Sequence, residues 1–232
     1  MPFPVLKPYH HIPIIESGEP LVPIPLDLFA VESPHPYQKL GADYGDQSPY
    51  CLRQSLIEAL IIAQQQLQKR SPYRLLIFDA YRPVAVQQFM VDYTFQSCLE
   101  SQGLTSAELS PTAREAIYQQ VYQIWAPPSF DPHTPPPHST GGAVDITLWE
   151  LQGQPVDLGG AIDELSPRSH PDYYSNNSDP GSRIYHRRRQ LLNQVMCNTG
   201  FLRHPAEWWH FCLGDQMWSW LENKPFARYG RV

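Results

Sequence analysis

Four residues in two short stretches have the types and spacing to hold a metal ion and use it. In PPPHSTGGAVDITL, residues 135–148, His138 and Asp145 stand on either side of Gly141 and Gly142. In HPAEWWHF, residues 204–211, Glu207 and His210 flank Trp208 and Trp209. A catalytic zinc site needs three protein ligands and a fourth position left for water, and imidazole nitrogen and carboxylate oxygen both suit the ion. His138, Asp145 and His210 would supply that set. Glu207 would then do the proton work: a carboxylate beside the ion can accept a proton during attack on a carbonyl and later pass it to the leaving amine, while the metal acidifies water and polarises the substrate oxygen. The neighbouring tryptophans would keep the site dry and raise the carboxylate's proton affinity. In FDAYRPVAVQQF, residues 78–89, Arg82 could steady the oxyanion that forms when water attacks an amide.

Each residue also has an ordinary explanation. A lone histidine is more often hydrogen-bonded or on the surface than a ligand, and nine histidines supply many false candidates. Glu207 could be a surface carboxylate, and Arg82 could bridge to Asp79 or cap local carbonyls. H-x-x-G-x-x-x-D is only moderately specific and E-x-x-H arises easily by chance. Agreement among the motifs, rather than any one of them, carries the reading.

The elements that must position these residues can be read from pattern. Residues 51–70 place Leu52, Leu56, Ala59, Leu60, Ala63 and Leu67 on one face, as an amphipathic helix does. Further helices are expected over 83–100, after Pro83, over 111–125, with Ser110 as cap before Pro111, and over 182–199, stopped by Gly200. Strands are expected at 74–80, 143–149 and 208–213, which are rich in β-branched or aromatic residues. The Gly-Gly pair allows a sharp turn after His138, and Asp145 then alternates with Val144, Ile146 and Leu148, so it points away from the core and towards a site. Glu207 and His210 would oppose one another in a regular strand, so the reading requires a turn or bulge between them. Helices and strands do not alternate regularly. The expected class is α+β, a mainly antiparallel central sheet with helices packed against it, in one domain over 1–232.

Composition removes several function classes. With 232 residues and 42% hydrophobic content the chain can bury a substantial core. A net charge of −6 argues against nucleic-acid binding, which needs clustered Lys and Arg. The one basic run, Arg187-Arg188-Arg189, reads as a solvated helix face. Cys51, Cys98, Cys197 and Cys212 form no C-x-x-C pair, so a zinc knuckle and a thioredoxin-like motif are absent. No apolar run reaches the roughly 20 residues needed to cross a bilayer. The proline-broken N-terminus does not resemble a signal peptide, so a cytoplasmic protein with reduced cysteines is expected. Of twenty-five prolines, fifteen crowd into 2–36 and 127–137, and the first cluster reads as an extension, about 1–36, packed on the domain. Oligomeric state leaves no mark in the sequence.

Together the pieces DAYRP (79–83), HSTGGAVDITL (138–148), RSH (168–170), the arginine-bearing helix ending in TGF (199–201) and EWWH (207–210) resemble the D-alanyl-D-alanine dipeptidases of the M15 zinc metallopeptidases, known from vancomycin-resistance clusters. They follow the family's order from about residue 37 to 215. The resemblance implies an M15/hedgehog-like α+β fold, one zinc ion per chain held by His138, Asp145 and His210, Glu207 as base and then acid, and Arg82 steadying the tetrahedral intermediate. It also implies a small dipeptide substrate, D-Ala-D-Ala. Asp163, in LGGAIDEL, falls near the family's carboxylate that receives the substrate ammonium, with a one-residue gap in the alignment. Pro135, Pro136 and Pro137 stand where the family is expected to have serines, which alters a wall of the pocket. A carboxypeptidase or endopeptidase acting on peptidoglycan stem peptides, and a non-catalytic zinc-containing binding module, remain as alternatives.

Overall fold

Alternation in AVDITLWE sets the centre of the structure, because a strand with one apolar face must bury that face against helices. The computed structural model describes residues 7–232, so the first six residues of the proline-rich start lie outside the described part. In chain order the elements are β1 (Leu21–Pro23), β2 (Ala30–Val31), α1 (Pro36–Lys39), β3 (Cys51–Arg53), α2 (Gln54–Gln68), β4 (Tyr73–Asp79), α3 (Val84–Ser101), α4 (Pro111–Val121), β5 (Ala143–Glu150), α5 (Pro180–Cys197), β6 (Leu202–Arg203), β7 (His210–Cys212) and α6 (Gln216–Leu221).

The central sheet has the order β2-β4-β5-β7-β6, and β1 pairs with β3 in a separate ribbon. The fold is α+β, and β4, β5, β7 and β6 pair antiparallel throughout. The sheet is nevertheless mixed, because the short edge strand β2 runs parallel to β4. Leu75, Ile77, Val144, Ile146, Leu148 and Phe211 form one core with Leu56, Leu60 and Leu67 of α2 and Leu192, Val195 and Met196 of α5. Each such fully buried side chain contributes about 1.5–3 kcal/mol. A second core joins Met90, Phe95 and Leu99 of α3 to Ile117 and Val121 of α4, with Tyr37, Tyr44 and Trp125.

Three local expectations shift. The 51–70 segment opens as strand, because Cys51–Arg53 pairs with Leu21–Pro23, a partner that periodicity does not reveal. Trp208 and Trp209 precede β7 rather than extend it, although the Trp209 carbonyl still accepts from Ile146 N at 3.0 Å. The arginine run is not a uniform solvated face. Arg187 is exposed, but Arg189 is 1% exposed, donating from Nε to Leu158 O at 2.8 Å and from Nη1 to His170 O at 3.0 Å, with its guanidinium over the Tyr174 and Trp208 rings. Arg189 therefore ties the 158–170 loop to α5. Among the described residues no helix is long and apolar enough to cross a membrane.

Arg189→Met leaves the buried Leu158 carbonyl without this donor and the His170 carbonyl with Tyr173 N alone, and is expected to lower unfolding free energy by about 2–4 kcal/mol. Urea titration followed by tryptophan fluorescence would measure the loss, and a change below about 0.5 kcal/mol would contradict the assigned role.

Candidate active site

Three adjacent strands set the chemistry side by side. In the register of the sheet Asp79 of β4 faces Asp145 of β5, and Asp145 faces His210 of β7. A regular β4 would put Asp79 on the same side as Ile77, in the core, but the pairing shifts between these two residues. That irregularity lets Asp79 and Asp145 share one partner: Arg82 Nη2 donates to Asp79 Oδ2 at 2.7 Å and to Asp145 Oδ2 at 3.3 Å. His138 enters from the short 3-10 turn Pro137–Thr140 immediately before β5. Ser139 N and Oγ donate to the Pro136 carbonyl and Thr140 Oγ1 to that of Pro137, so the prolines serve as the turn's acceptors. Gly141 ends the turn at φ 70°, where a Cβ would lie 2.5 Å from Leu21 Cδ1, which is why glycine stands there.

His138, Asp145 and His210 are all buried and offer ligand atoms within 4.8 Å of one another. His138 Nε2 lies 3.1 Å from His210 Nδ1 and 3.3 Å from Asp145 Oδ2, and His210 Nδ1 lies 3.0 Å from Asp145 Oδ1. A tetrahedral ion with bonds of about 2.0–2.1 Å sets its ligand atoms about 3.3 Å apart, so the spacing fits one zinc-sized ion. His138 Nδ1 stands 2.7 Å from the Ala80 carbonyl, an acceptor that places the ring proton there and turns the Nε2 lone pair towards the other two residues. Charge agrees with geometry. Asp79, Asp145, Asp163 and Glu207 surround the site against two cations, Arg82 and Lys7, and a dication offsets that excess.

The protein's own charges show the same imbalance. Burial would raise Asp79, but Arg82, His35 and His138 outweigh it and hold that carboxyl low. Burial likewise opposes ionisation of Asp145, yet His138 and His210 keep it well below the carboxylate range. His138 is raised: burial lowers it, and the Asp145 carboxylate more than compensates. Glu207, with no strong cation against it, is pushed well above its ordinary value by burial and then by Asp145 and Asp163.

Glu207 reaches the site on the turn that the E-x-x-H spacing required. After β6 the chain turns through Pro205 and Ala206, with His204 N donating to His210 O at 2.9 Å and Trp208 N to Ser169 O at 3.0 Å. Glu207 Oε2 then stands 3.9 Å from His210 Nδ1, and Oε1 3.6 Å from His204 Nδ1. Arg82 makes the bridge to Asp79 that its ordinary explanation called for, and it also lines the pocket with His138, Asp145, Asp163, Glu207 and His210. Asp163 adopts φ 61°, a left-handed conformation uncommon outside glycine and frequent at sites held under constraint. Its Oδ2 accepts from Tyr37 Oη at 2.7 Å, and Tyr37 Oη in turn accepts from Arg82 Nη2 at 3.1 Å. Burial and the Asp145 charge raise Asp163 to about 7.

Pattern reading overlooked Tyr37, Gln87 and Lys7, whereas the bridge from Arg82 to Asp79 that it offered is present. Gln87 accepts from Arg82 Nη1 at 2.8 Å and so fixes the far side of the guanidinium. Asp79 was visible inside DAYRP, but HPYQK and the N-terminal lysine carry no spacing signal.

A family model described as Peptidase_M15, D-ala-D-ala dipeptidase, matches residues 31–229. A curated D-alanyl-D-alanine dipeptidase of Synechocystis sp. is 53% identical over 240 residues, spanning 98% of this chain and 97% of that protein. Two others, from Escherichia coli and Enterococcus faecium, are 30% and 31% identical, covering 68% and 72% of this chain and 62% and 73% of theirs.

Because His138 is raised and must lose a proton to offer Nε2, zinc affinity is expected to fall with acidification, about tenfold per pH unit below the His138 pKa for each proton displaced. Competition with a chromogenic chelator between pH 7.5 and 5.5 measures the slope, and a flat profile would remove His138 from the ligand set.

Proposed function

Because this chain belongs to the Peptidase_M15 family of D-ala-D-ala dipeptidases, we propose that it hydrolyses D-alanyl-D-alanine to two molecules of D-alanine, using one zinc ion per chain held by His138, Asp145 and His210. The observation that supports this most directly is the mutual spacing of 3.0–3.3 Å among the three ligand side chains with Glu207 beside them. Zinc, when bound, supplies a Lewis acid that lowers the pKa of water and polarises the scissile carbonyl.

The protein's residues do the rest. Glu207 accepts the proton of the attacking water and later delivers it to the amine as the C–N bond breaks. Burial and the charges of Asp145 and Asp163 raise its proton affinity, which suits a group that takes up a proton and returns it once a bound cation would offset that excess of negative charge. Arg82 presents its guanidinium to the oxygen that gains charge in the tetrahedral intermediate, and Asp79 and Gln87 hold it in place beforehand. Asp163 pairs with the free ammonium of the substrate, and Tyr37 orients it through the 2.7 Å hydrogen bond. Trp125, Trp209 and Pro137 keep water out. An anionic anchor at one end and a closed wall favour a dipeptide over a stem peptide or a mere binding role. The four unpaired cysteines support a reducing, cytoplasmic location.

Zinc-loaded protein is expected to release D-alanine from D-Ala-D-Ala, and Glu207→Ala to retain zinc while losing at least about 1000-fold in kcat. Coupled D-amino-acid oxidase assay and atomic absorption on the same samples check both, and equal rates for the two proteins would sink the mechanism. N-acetyl-D-Ala-D-Ala, which lacks the ammonium, is expected to lose about 100-fold or more in kcat/KM. Equal turnover of both substrates would reject Asp163 as anchor.

A further inference from the structure

The match to the family model begins at residue 31, yet a side chain from well before it reaches the catalytic pocket. Lys7 lines that pocket together with Arg82, Asp163, Glu207 and His210. The segment that carries it is firmly held. Gln216 Nε2 donates to Ile12 O at 2.7 Å, Ile15 N to Ala227 O at 2.9 Å and Ser17 N to Arg228 O at 2.9 Å, while Lys7 Nζ itself donates to Tyr122 O at 2.9 Å beyond α4. The arm is thus sewn to the C-terminal segment on one side and to the end of α4 on the other. It forms a wall of the site rather than a loose tail.

Charge then separates the two cations of the pocket. Arg82 has most of its donors engaged, Nε and Nη2 with Asp79, Nη1 with Gln87, and Nη2 also with Tyr37 and Asp145, which leaves one Nη1 N–H for the oxyanion. Lys7 Nζ has one neutral acceptor and, among the described residues, no carboxylate within ion-pair distance, which leaves two N–H groups unassigned. Burial lowers its proton affinity, as expected of a cation short of counter-charge, with Glu207 only partly opposing. Lys7 also lies where the pocket meets a larger, mainly apolar cavity of about 690 Å³ lined by Tyr122, Leu165, Pro205 and Trp220.

We propose that Lys7 is a specificity-determining residue that receives the C-terminal carboxylate of the dipeptide, the counterpart of Asp163 at the ammonium end. The inference rests on the dipeptidase reading above. A zwitterion with charges at both ends then meets an anion and a cation that line the same pocket. A chain extended at its C-terminus puts a neutral amide beside Lys7, leaves that ammonium unpaired and is rejected. This supplies the length selection from an arm that the family model does not include.

The test compares D-Ala-D-Ala with D-Ala-D-alaninamide in zinc-loaded wild-type, Lys7→Gln and Lys7→Arg proteins. Lys7→Gln is expected to raise KM for the free acid about 10- to 100-fold with kcat nearly unchanged, to leave the amide unaffected, and so to abolish the discrimination. Lys7→Arg retains most of it. A fall in kcat for acid and amide alike would mean that Lys7 acts through Glu207 or the fold, and an unchanged KM would remove it from substrate contact; either overturns the proposal. Calorimetric titration of the same two ligands into zinc-loaded Glu207→Ala, with and without Lys7→Gln, gives a binding readout independent of turnover. If wild-type protein cleaves neither ligand the dipeptidase reading fails, while a carboxylate preference that vanishes with Lys7 in the titration still upholds the anchor and its loss of effect rejects it.

Discussion

Two buried carboxylates on neighbouring strands, Asp79 and Asp145, impose the constraint on which the rest of the site depends. Each is at most 2% exposed, and like charges so placed are strongly unfavourable unless cations and hydrogen bonds surround them. Arg82 answers part of the demand by donating to both. His35 and His138 answer part for Asp79, at 3.2 Å each, and His138 and His210 part for Asp145. The surrounding groups are therefore parts of one electrostatic arrangement, and the ion that fits among the ligand residues completes it.

That arrangement explains the packing around it. The α3–α4 core presents Trp125 and Tyr37 to the Arg82 guanidinium, at 4.9 and 5.0 Å from the ring centroids, so the cation is clamped between aromatic faces while its edges bond the carboxylates. On the other side α5 holds the 158–170 loop through Arg189, and that loop carries both Asp163 and the Ser169 carbonyl that pins the Glu207 turn. The two cores thus reach the chemistry through two arginines, one inside the pocket and one behind it. Burial of Arg189 lowers its proton affinity to about 10, still far enough above neutrality to keep it charged.

Function follows from the uneven distribution of charge among the site's carboxylates. Asp145 is held ionised and suits a ligand, whereas burial and neighbouring carboxylates raise Glu207 and Asp163. Environments that push like groups apart in proton affinity are what the proposed division of labour requires, with Asp145 for the metal, Glu207 for the proton and Asp163 for the ammonium. The arm before residue 31 adds Lys7 and Tyr9 to a lining that also holds Arg82, Asp163, Glu207, Trp125 and Trp209.

Much of this was legible in the chain itself. His138, Asp145, Glu207 and His210 declared themselves because ligand chemistry restricts residue types, and because Asp145 interrupts an otherwise apolar alternation that places it opposite the core. Helices α2 to α5 were visible in their apolar spacing and their proline and glycine boundaries, all of them local signals. What only the tertiary structure decided is non-local. Pairing of Cys51–Arg53 with Leu21–Pro23, the shifted register that turns Asp79 towards Arg82, the burial of Arg189 and the arrival of Tyr37 and Lys7 at the pocket all depend on segments distant in sequence. Residue type and spacing determine which groups can do the chemistry, whereas strand register and burial determine which of them meet and what charge each one carries.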